Sequence, residues 1–218
     1  FNSIKTAHAM GSGTGIASGF GKLGMFGMEQ PVVSVCGDST FFHAGMPPLV
    51  NAIHNGSDML MIILDNRGTA MTGFQPHPGL EVDAMGNRAD ATDIAEVCRA
   101  LGATVVTSDP FDIAGTQEKL MDTIENGKGA RVMILRQICA LSPEKKGKKQ
   151  YEVTVDTSLC RGTDCGCDRL CTRVFRCPGL VWNKAGGHAQ IDEIICAGCG
   201  VCTDICPAGA IKRSEVTK

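Results

Sequence analysis

The chain has 218 residues, with 21 Lys plus Arg against 23 Asp plus Glu and a net charge of −2, which argues against binding nucleic acid or an anionic membrane through bulk positive charge. Apolar residues make up 43%, enough for a packed core, and no apolar run reaches the roughly 18 residues of a membrane span. Of twelve cysteines, only Cys36, Cys98 and Cys139 fall in the first 150 residues, and nine crowd between Cys160 and Cys206. Their regular spacing points to bound metal rather than a secreted disulfide framework. Metal-bound thiolates need a reducing compartment, so a cytoplasmic protein is expected. The chain begins at Phe1 with no initiator Met and no signal peptide, as a fragment or processed product would.

Residues 31–36 are apolar and β-branched and end at Gly37, the pattern of a buried strand. Met46, Leu49, Val50 and Ile53 recur at helical spacing, with Pro47 and Pro48 in the first turn, where no backbone donor is needed. Residues 59–64 form a second apolar run, closed by Asp65-Asn66. A helix through Ile94, Val97, Cys98 and Leu101, a strand at 103–107, a helix through Ile113, Leu120 and Ile124, and a strand at 131–135 follow. This alternation predicts an α/β domain with a mainly parallel sheet covered on both faces. Residues 142–150 are basic and broken by Pro and Gly, a linker composition. The expected organisation is therefore a first domain at 1–141, a linker at 142–150 and a second domain at 151–218, opening on a strand-like alternation at 151–156.

Cys196-x2-Cys199-x2-Cys202-x3-Cys206-Pro207 has the spacing of the bacterial two-cluster ferredoxin run. Three closely spaced thiolates hold one 4Fe–4S cubane, and the fourth ligates the other. Zinc sites usually set their cysteine pairs further apart. A less regular group precedes it: Cys160, Cys165, Cys167, Cys171 and Cys177-Pro178. Cys165 and Cys167 compete for one position. The pseudo-twofold pattern puts Cys160, Cys165 or Cys167, Cys171 and Cys206 on one cluster, and Cys177, Cys196, Cys199 and Cys202 on the other. The second domain thus reads as a two-cluster, ferredoxin-like α+β domain. Cys36 and Cys98 read as small buried hydrophobes, and Cys139 carries no assigned role.

Gly37-Asp38-Ser39 closes the first predicted strand, and Asn66 closes the next, 28 residues after Asp38. In a parallel sheet both strand ends face one crevice, where ligands bind. A carboxylate and an amide oxygen there suit Mg²⁺, and Ser39 and Thr40 sit where a helix N-terminus binds phosphate oxygens. The arrangement is similar to the thiamine diphosphate motif, Gly-Asp-Gly or Gly-Asp-Ser followed at like distance by Asn. Gly37-Asp-Ser-Thr-Phe-Phe-His43-Ala-Gly45 and Asp65-Asn-Arg-Gly-Thr-Ala-Met71-Thr-Gly73-Phe-Gln-Pro-His77-Pro78 resemble the 2-oxoacid:ferredoxin oxidoreductase family, in particular the C-terminal part of the large subunits of its indolepyruvate branch.

That resemblance implies thiamine diphosphate, Mg²⁺ held by Asp38, Asn66 and the backbone oxygen of Gly68, and two 4Fe–4S clusters. It implies that Gly37, Ser39 and Thr40 lie at the diphosphate and that Thr69, Ala70 and Met71 line the pocket. Met10 would brace the bent cofactor, with Gly11 beside it, unless it is a plain core residue. His43 would face the reacting carbon or hold the substrate carboxylate, unless it is structural. His77, between prolines, reads as a rigid loop element. The implied reaction is oxidative decarboxylation of an aryl 2-oxoacid with coenzyme A, with electrons passing to ferredoxin. Pyruvate or another aliphatic 2-oxoacid is the alternative substrate, and a purely electron-transferring iron–sulfur subunit the alternative role. Only Glu29 among the glutamates precedes the diphosphate motif. A pyrimidine-binding domain or subunit and a further oxidoreductase subunit are therefore expected partners.

Overall fold

In the computed structural model, residues 8–142 and 148–216 are described, apart from the side chains of Thr163 and Cys165. Residues 143–147, most of the expected linker, lie outside the described residues. The chain divides into two units, Phe1–Cys139 and Ala140–Lys218.

The apolar, β-branched runs of the first unit become four parallel strands: β1 (Val33–Gly37), β2 (Met59–Asp65), β3 (Thr104–Ser108) and β4 (Ala130–Arg136), in spatial order β1-β2-β4-β3. Parallel pairing demands crossovers, and helices supply them. α1 (Ser12–Phe20) precedes β1; the crossovers run through α2 (Asp38–Thr40) and α3 (Met46–His54) between β1 and β2, α4 (Ile94–Ala100) between β2 and β3, and α5 (Ile113–Glu125) between β3 and β4. A π turn, Phe41–Gly45, joins α2 to α3, so one helical path runs from residue 38 to residue 54.

Alternation along β2 sends Met59, Met61 and Ile63 into the core, where they meet Val132 and Ile134 of β4, Phe41 of the π turn, Leu49 and Ala52 of α3, and Ile94 and Cys98 of α4. Cys36 joins the same cluster, so both cysteines behave as the small buried hydrophobes expected of them. The inward stripe of α3 runs through Leu49 and Ala52, and Val50, expected on that stripe, is exposed instead. The π turn ahead of α3 inserts an extra residue per turn and sets the rotation at which the helix meets the sheet.

In register, Gly37 of β1 lies beside Leu64 of β2, and Asp65 lies beside Arg136 of β4. The residues that follow these strands, Asp38 and Asn66, are thereby delivered to one edge of the sheet.

The second unit is built on two antiparallel pairs. β5 (Tyr151–Val155) pairs with β8 (Ile211–Glu215), and β6 (Leu180–Asn183) pairs with β7 (His188–Ile191). Among the described residues its buried hydrophobic cluster is Val153, Leu180, Cys202 and Ile211, with Cys171, Cys177, Cys196 and Cys206 among the partly buried residues packed against it. So small a core rarely holds a domain together without a metal or covalent staple. Among the described residues, no helix is long and apolar enough to cross a membrane.

Candidate functional site

Asp38 opens the helix that follows β1, capped by Gly37 in extended conformation. Its carboxylate is almost wholly buried. Oδ1 accepts the Ser39 N–H at 2.7 Å, and Oδ2 accepts the Gly68 N–H at 3.2 Å. His77 Nε2 lies 3.1 Å from Oδ2, in ion-pair range though off the line of a well-formed hydrogen bond. Burial alone would raise the Asp38 pKa. The His77 contact and the Ser39 and Gly68 N–H groups outweigh it and hold the carboxyl below its ordinary value. Asp38 is thus kept as a buried anion.

The loop after β2 completes this edge. Asn66 Oδ1 is buried and has no hydrogen-bond partner, a state that buried polar atoms seldom tolerate. Arg67 adopts a left-handed φ of 63°, turning the chain so that Gly68 N–H meets Asp38. Thr69 then pairs with Gln75, closing the loop as a short hairpin. A carboxylate oxygen and an unpartnered amide oxygen at neighbouring strand ends are donors of the kind hard divalent cations prefer, while the Gly68 carbonyl accepts the Ala70 N–H at 2.8 Å. Asp65, next to Asn66, does not compete for such a cation. Its charge is taken by Arg136 Nε at 2.6 Å, while Arg136 also reaches Asp93 at 3.0 Å.

Sequence reasoning missed the placement of His77. Its Nδ1 accepts the Gly79 N–H at 3.1 Å, so in the neutral ring the proton sits on Nε2, the nitrogen 3.1 Å from Asp38 Oδ2. Gly79 is needed there, because a Cβ would come within 2.9 Å of Phe42 Cε2 and 3.0 Å of His77 Cε1. The prolines flanking His77 were the available signal, since they mark a loop whose shape is fixed. Arg136 was missed as well. Its trace in sequence is a cation that closes the apolar run at 132–135.

The remaining expected residues divide. Ser39 and Thr40 lie in the first helical turn, half-buried. His43 is exposed on the π turn, with Nδ1 2.7 Å from the Ser39 carbonyl. A carbonyl only accepts, so Nδ1 carries the proton and Nε2 is left as the basic nitrogen. Gly11, at φ 87°, packs against that turn: a Cβ on it would lie 2.6 Å from Ala44 Cβ. This brings Gly11 against the π turn at Ala44. Met10 is 76% exposed and so is not a core residue. Thr69 and Ala70 are half-buried and Met71 is exposed.

In the second unit the thiols gather in two sets. Cys171 feels the charges of Cys167, Cys206 and Cys160, although burial is the larger cause of its raised pKa. Cys202 is pushed up to about 12, by burial first and then by Cys177, Cys199 and Cys196. Cys160, Cys167, Cys171 and Cys206 line one cavity. The backbone aims donors at this set, Ala189 N–H at Cys160 Sγ (3.5 Å) and Ala210 N–H at Cys206 Sγ (3.3 Å). The Cys165 side chain lies outside the described residues. Among the described residues, no three His, Cys, Asp or Glu side chains form a group that could hold a single metal ion.

These features place the chain in a class. A family model, thiamine pyrophosphate enzyme, C-terminal TPP binding domain, matches residues 1–134, more than half of the chain, and the chain belongs to that family. A 4Fe-4S binding domain model matches residues 189–212. The particular relatives are indolepyruvate oxidoreductase subunits. The IorA subunit of Methanothermobacter thermautotrophicus is 42% identical over 205 residues, covering 94% of this chain and 31% of that protein. The IorA subunit of Pyrococcus horikoshii is 36% identical over 225 residues, covering 96% and 34%. An uncharacterized ferredoxin of Methanocaldococcus jannaschii is 42% identical over 63 residues, covering 28% of this chain and 90% of that protein. The chain spans about a third of the length of the curated indolepyruvate oxidoreductase subunits it matches.

Proposed function

We propose that the chain is the diphosphate-binding and electron-relay portion of a thiamine diphosphate-dependent 2-oxoacid:ferredoxin oxidoreductase. The observation that carries the reading is the buried Asp38 carboxylate at one strand end with the unpartnered, buried Asn66 Oδ1 at the next. In this reading Asp38, Asn66 and the Gly68 carbonyl hold Mg²⁺, and Ser39 and Thr40 at the helix start meet the diphosphate. Gly11 and Met10 support the cofactor rings, and Thr69, Ala70 and Met71 line the pocket. His43, with Nε2 as its basic nitrogen, accepts a proton or holds the substrate carboxylate.

When bound, thiamine diphosphate supplies the carbanion chemistry that breaks the bond between the carboxylate and carbonyl carbons. The balance is one 2-oxoacid and one coenzyme A thiol giving acyl-CoA, CO₂, one proton and two electrons. Cys160, Cys167, Cys171 and Cys206 hold one 4Fe–4S cluster, and Cys177, Cys196, Cys199 and Cys202 the other. Each cluster takes one electron at a time toward a ferredoxin acceptor. Such clusters suit a reducing cytoplasm. The aryl 2-oxoacid is the preferred substrate, by likeness to the indolepyruvate oxidoreductase subunits. A pyrimidine-binding partner supplies the carboxylate that activates the cofactor ring.

The test is Mg²⁺-dependent thiamine diphosphate binding by calorimetry, on the full chain and on Asp38→Ala. Removing the anionic ligand should weaken binding by about 100-fold or more and leave the iron content unchanged. Equal affinity in both proteins would sink the metal assignment.

A further inference from the structure

The cavity lined by Cys160, Cys167, Cys171 and Cys206 has one more polar occupant. Arg169 lines it too, and Arg169 Nε is buried without a hydrogen-bond partner. Its guanidinium lies over the ring of Trp182, 5.2 Å from the centroid, and Trp182 is a wall of the same cavity. The neighbouring acid does not neutralise it, because Asp168 pairs with Arg173 instead.

The backbone is bent to put it there. Asp168 and Arg169 both have left-handed φ, 45° and 59°, costly for residues with a Cβ. The Arg169 carbonyl then takes the N–H groups of Thr172 (3.0 Å) and Arg173 (2.8 Å), which locks the bend. A buried N–H with no acceptor is unfavourable, so one held in place by a strained chain calls for an acceptor.

We infer that Arg169 donates its Nε–H and its positive charge to the cluster held by these four thiolates, and so raises that cluster's reduction potential above the value the thiolates alone would set. The inference rests on the reading that this set holds a 4Fe–4S cluster. Reduction adds one electron, with no bond made or broken, to a group already negative from its four thiolates. A fixed cation and a hydrogen bond to sulfur both favour the more negative, reduced form. The Ala189 and Ala210 N–H groups, directed at Cys160 and Cys206, act in the same direction. Arg169 is a tuning residue: it orders which cluster fills first and takes no part in bond making.

The experiment is an EPR-monitored redox titration of the full chain with both clusters reconstituted anaerobically. Arg169→Gln removes the charge and should lower one of the two potentials by about tenfold in the reduction equilibrium, 59 mV for one electron, leaving the other unchanged. Arg169→Lys keeps the charge but not the Nε–H, and should lower the same potential by less. Unchanged potentials in Arg169→Gln at full iron content would overturn the inference, as would an equal fall in both. If the Gln variant does not hold its cluster, the Lys variant decides: a fall in a single potential supports the inference, and two unchanged potentials overturn it. A wild-type chain that takes up only about four irons would instead defeat the two-cluster reading, and needs no variant to detect.

Discussion

Asp38 is the residue on which most of the first unit's chemistry converges. Its carboxylate receives two backbone N–H groups and the His77 ring edge. If Asp38 holds Mg²⁺ as proposed, partners of this kind orient it, and loss of such partners typically costs 10–100-fold in affinity. His77→Leu, which keeps the bulk but not the donor, should therefore weaken Mg²⁺-dependent thiamine diphosphate binding by about tenfold or more. His77→Gln, which can still present an N–H, should recover part of that loss. Equal affinities for wild type and Leu, measured by calorimetry, would remove His77 from the site. Gly79→Ala should resemble His77→Leu, because the added methyl displaces the ring that Gly79 makes room for. At this scale the sequence was half legible. The Gly-Asp-Ser and Asn signals stood out because the carboxylate, the amide and their strand ends are local. His77 and Arg136 were opaque, because their partners are far along the chain and only folding brings them together.

Among the elements, α4 ties the site to the sheet. Asp93 caps it, accepting the Glu96 N–H at 3.0 Å, and holds Arg136 at 3.0 Å. Burial would raise the Asp93 pKa, but the Glu96 N–H and Arg136 outweigh it and hold the carboxyl below its ordinary range. A group whose folded pKa is depressed contributes fully above its unfolded value and loses that contribution as pH falls through the folded one. Asp93→Ala should thus cost about 1 kcal/mol at pH 7, read from thermal melts. The gap between variant and wild type should close as pH drops below about 3.9. A gap independent of pH would show that the cap and the ion pair contribute nothing as charges. Strands and long crossover helices were readable from periodicity, because β2 and β4, buried on both faces, leave continuous apolar runs; the expected cover of both faces fails at the edge strand β1, where Val33 and Val35 are exposed. Three features were not readable. The Gly- and Ser-rich α1 has too few large apolar residues to show a stripe, the π turn at Phe41–Gly45 has no periodic signature, and the β6–β7 pair is too short and mixed to stand out.

For the whole molecule, the two units stand on different stabilising principles. The first has an ordinary core of Met, Ile, Leu and Phe beneath its sheet. Among the described residues the second has a small buried cluster, and four of the eight partly buried residues packed against it are cysteines. Metal-free preparations should therefore keep the first unit's cooperative melt and lose the second's. Chelation under reducing conditions, followed by hydrogen exchange, would reveal this as protection retained in β2 and β4 and lost in β5 and β8. Uniform loss across both units would contradict it. The two-part division was legible from the cysteine distribution alone. The contested ligand position was not, because Cys165 and Cys167 fit the spacing equally well; Cys167 lines a cavity with Cys160, Cys171 and Cys206, and the Cys165 side chain lies outside the described residues.

The central claim is that one chain joins a thiamine diphosphate site to a two-cluster electron relay. It is tested most directly by the cofactor content of the anaerobically purified full chain, with iron, acid-labile sulfide and thiamine diphosphate assayed in the same sample. The account predicts about eight irons and eight sulfides per chain, and one thiamine diphosphate retained in the presence of Mg²⁺. About four irons, zinc in place of iron, or no thiamine diphosphate at saturating Mg²⁺ would contradict it.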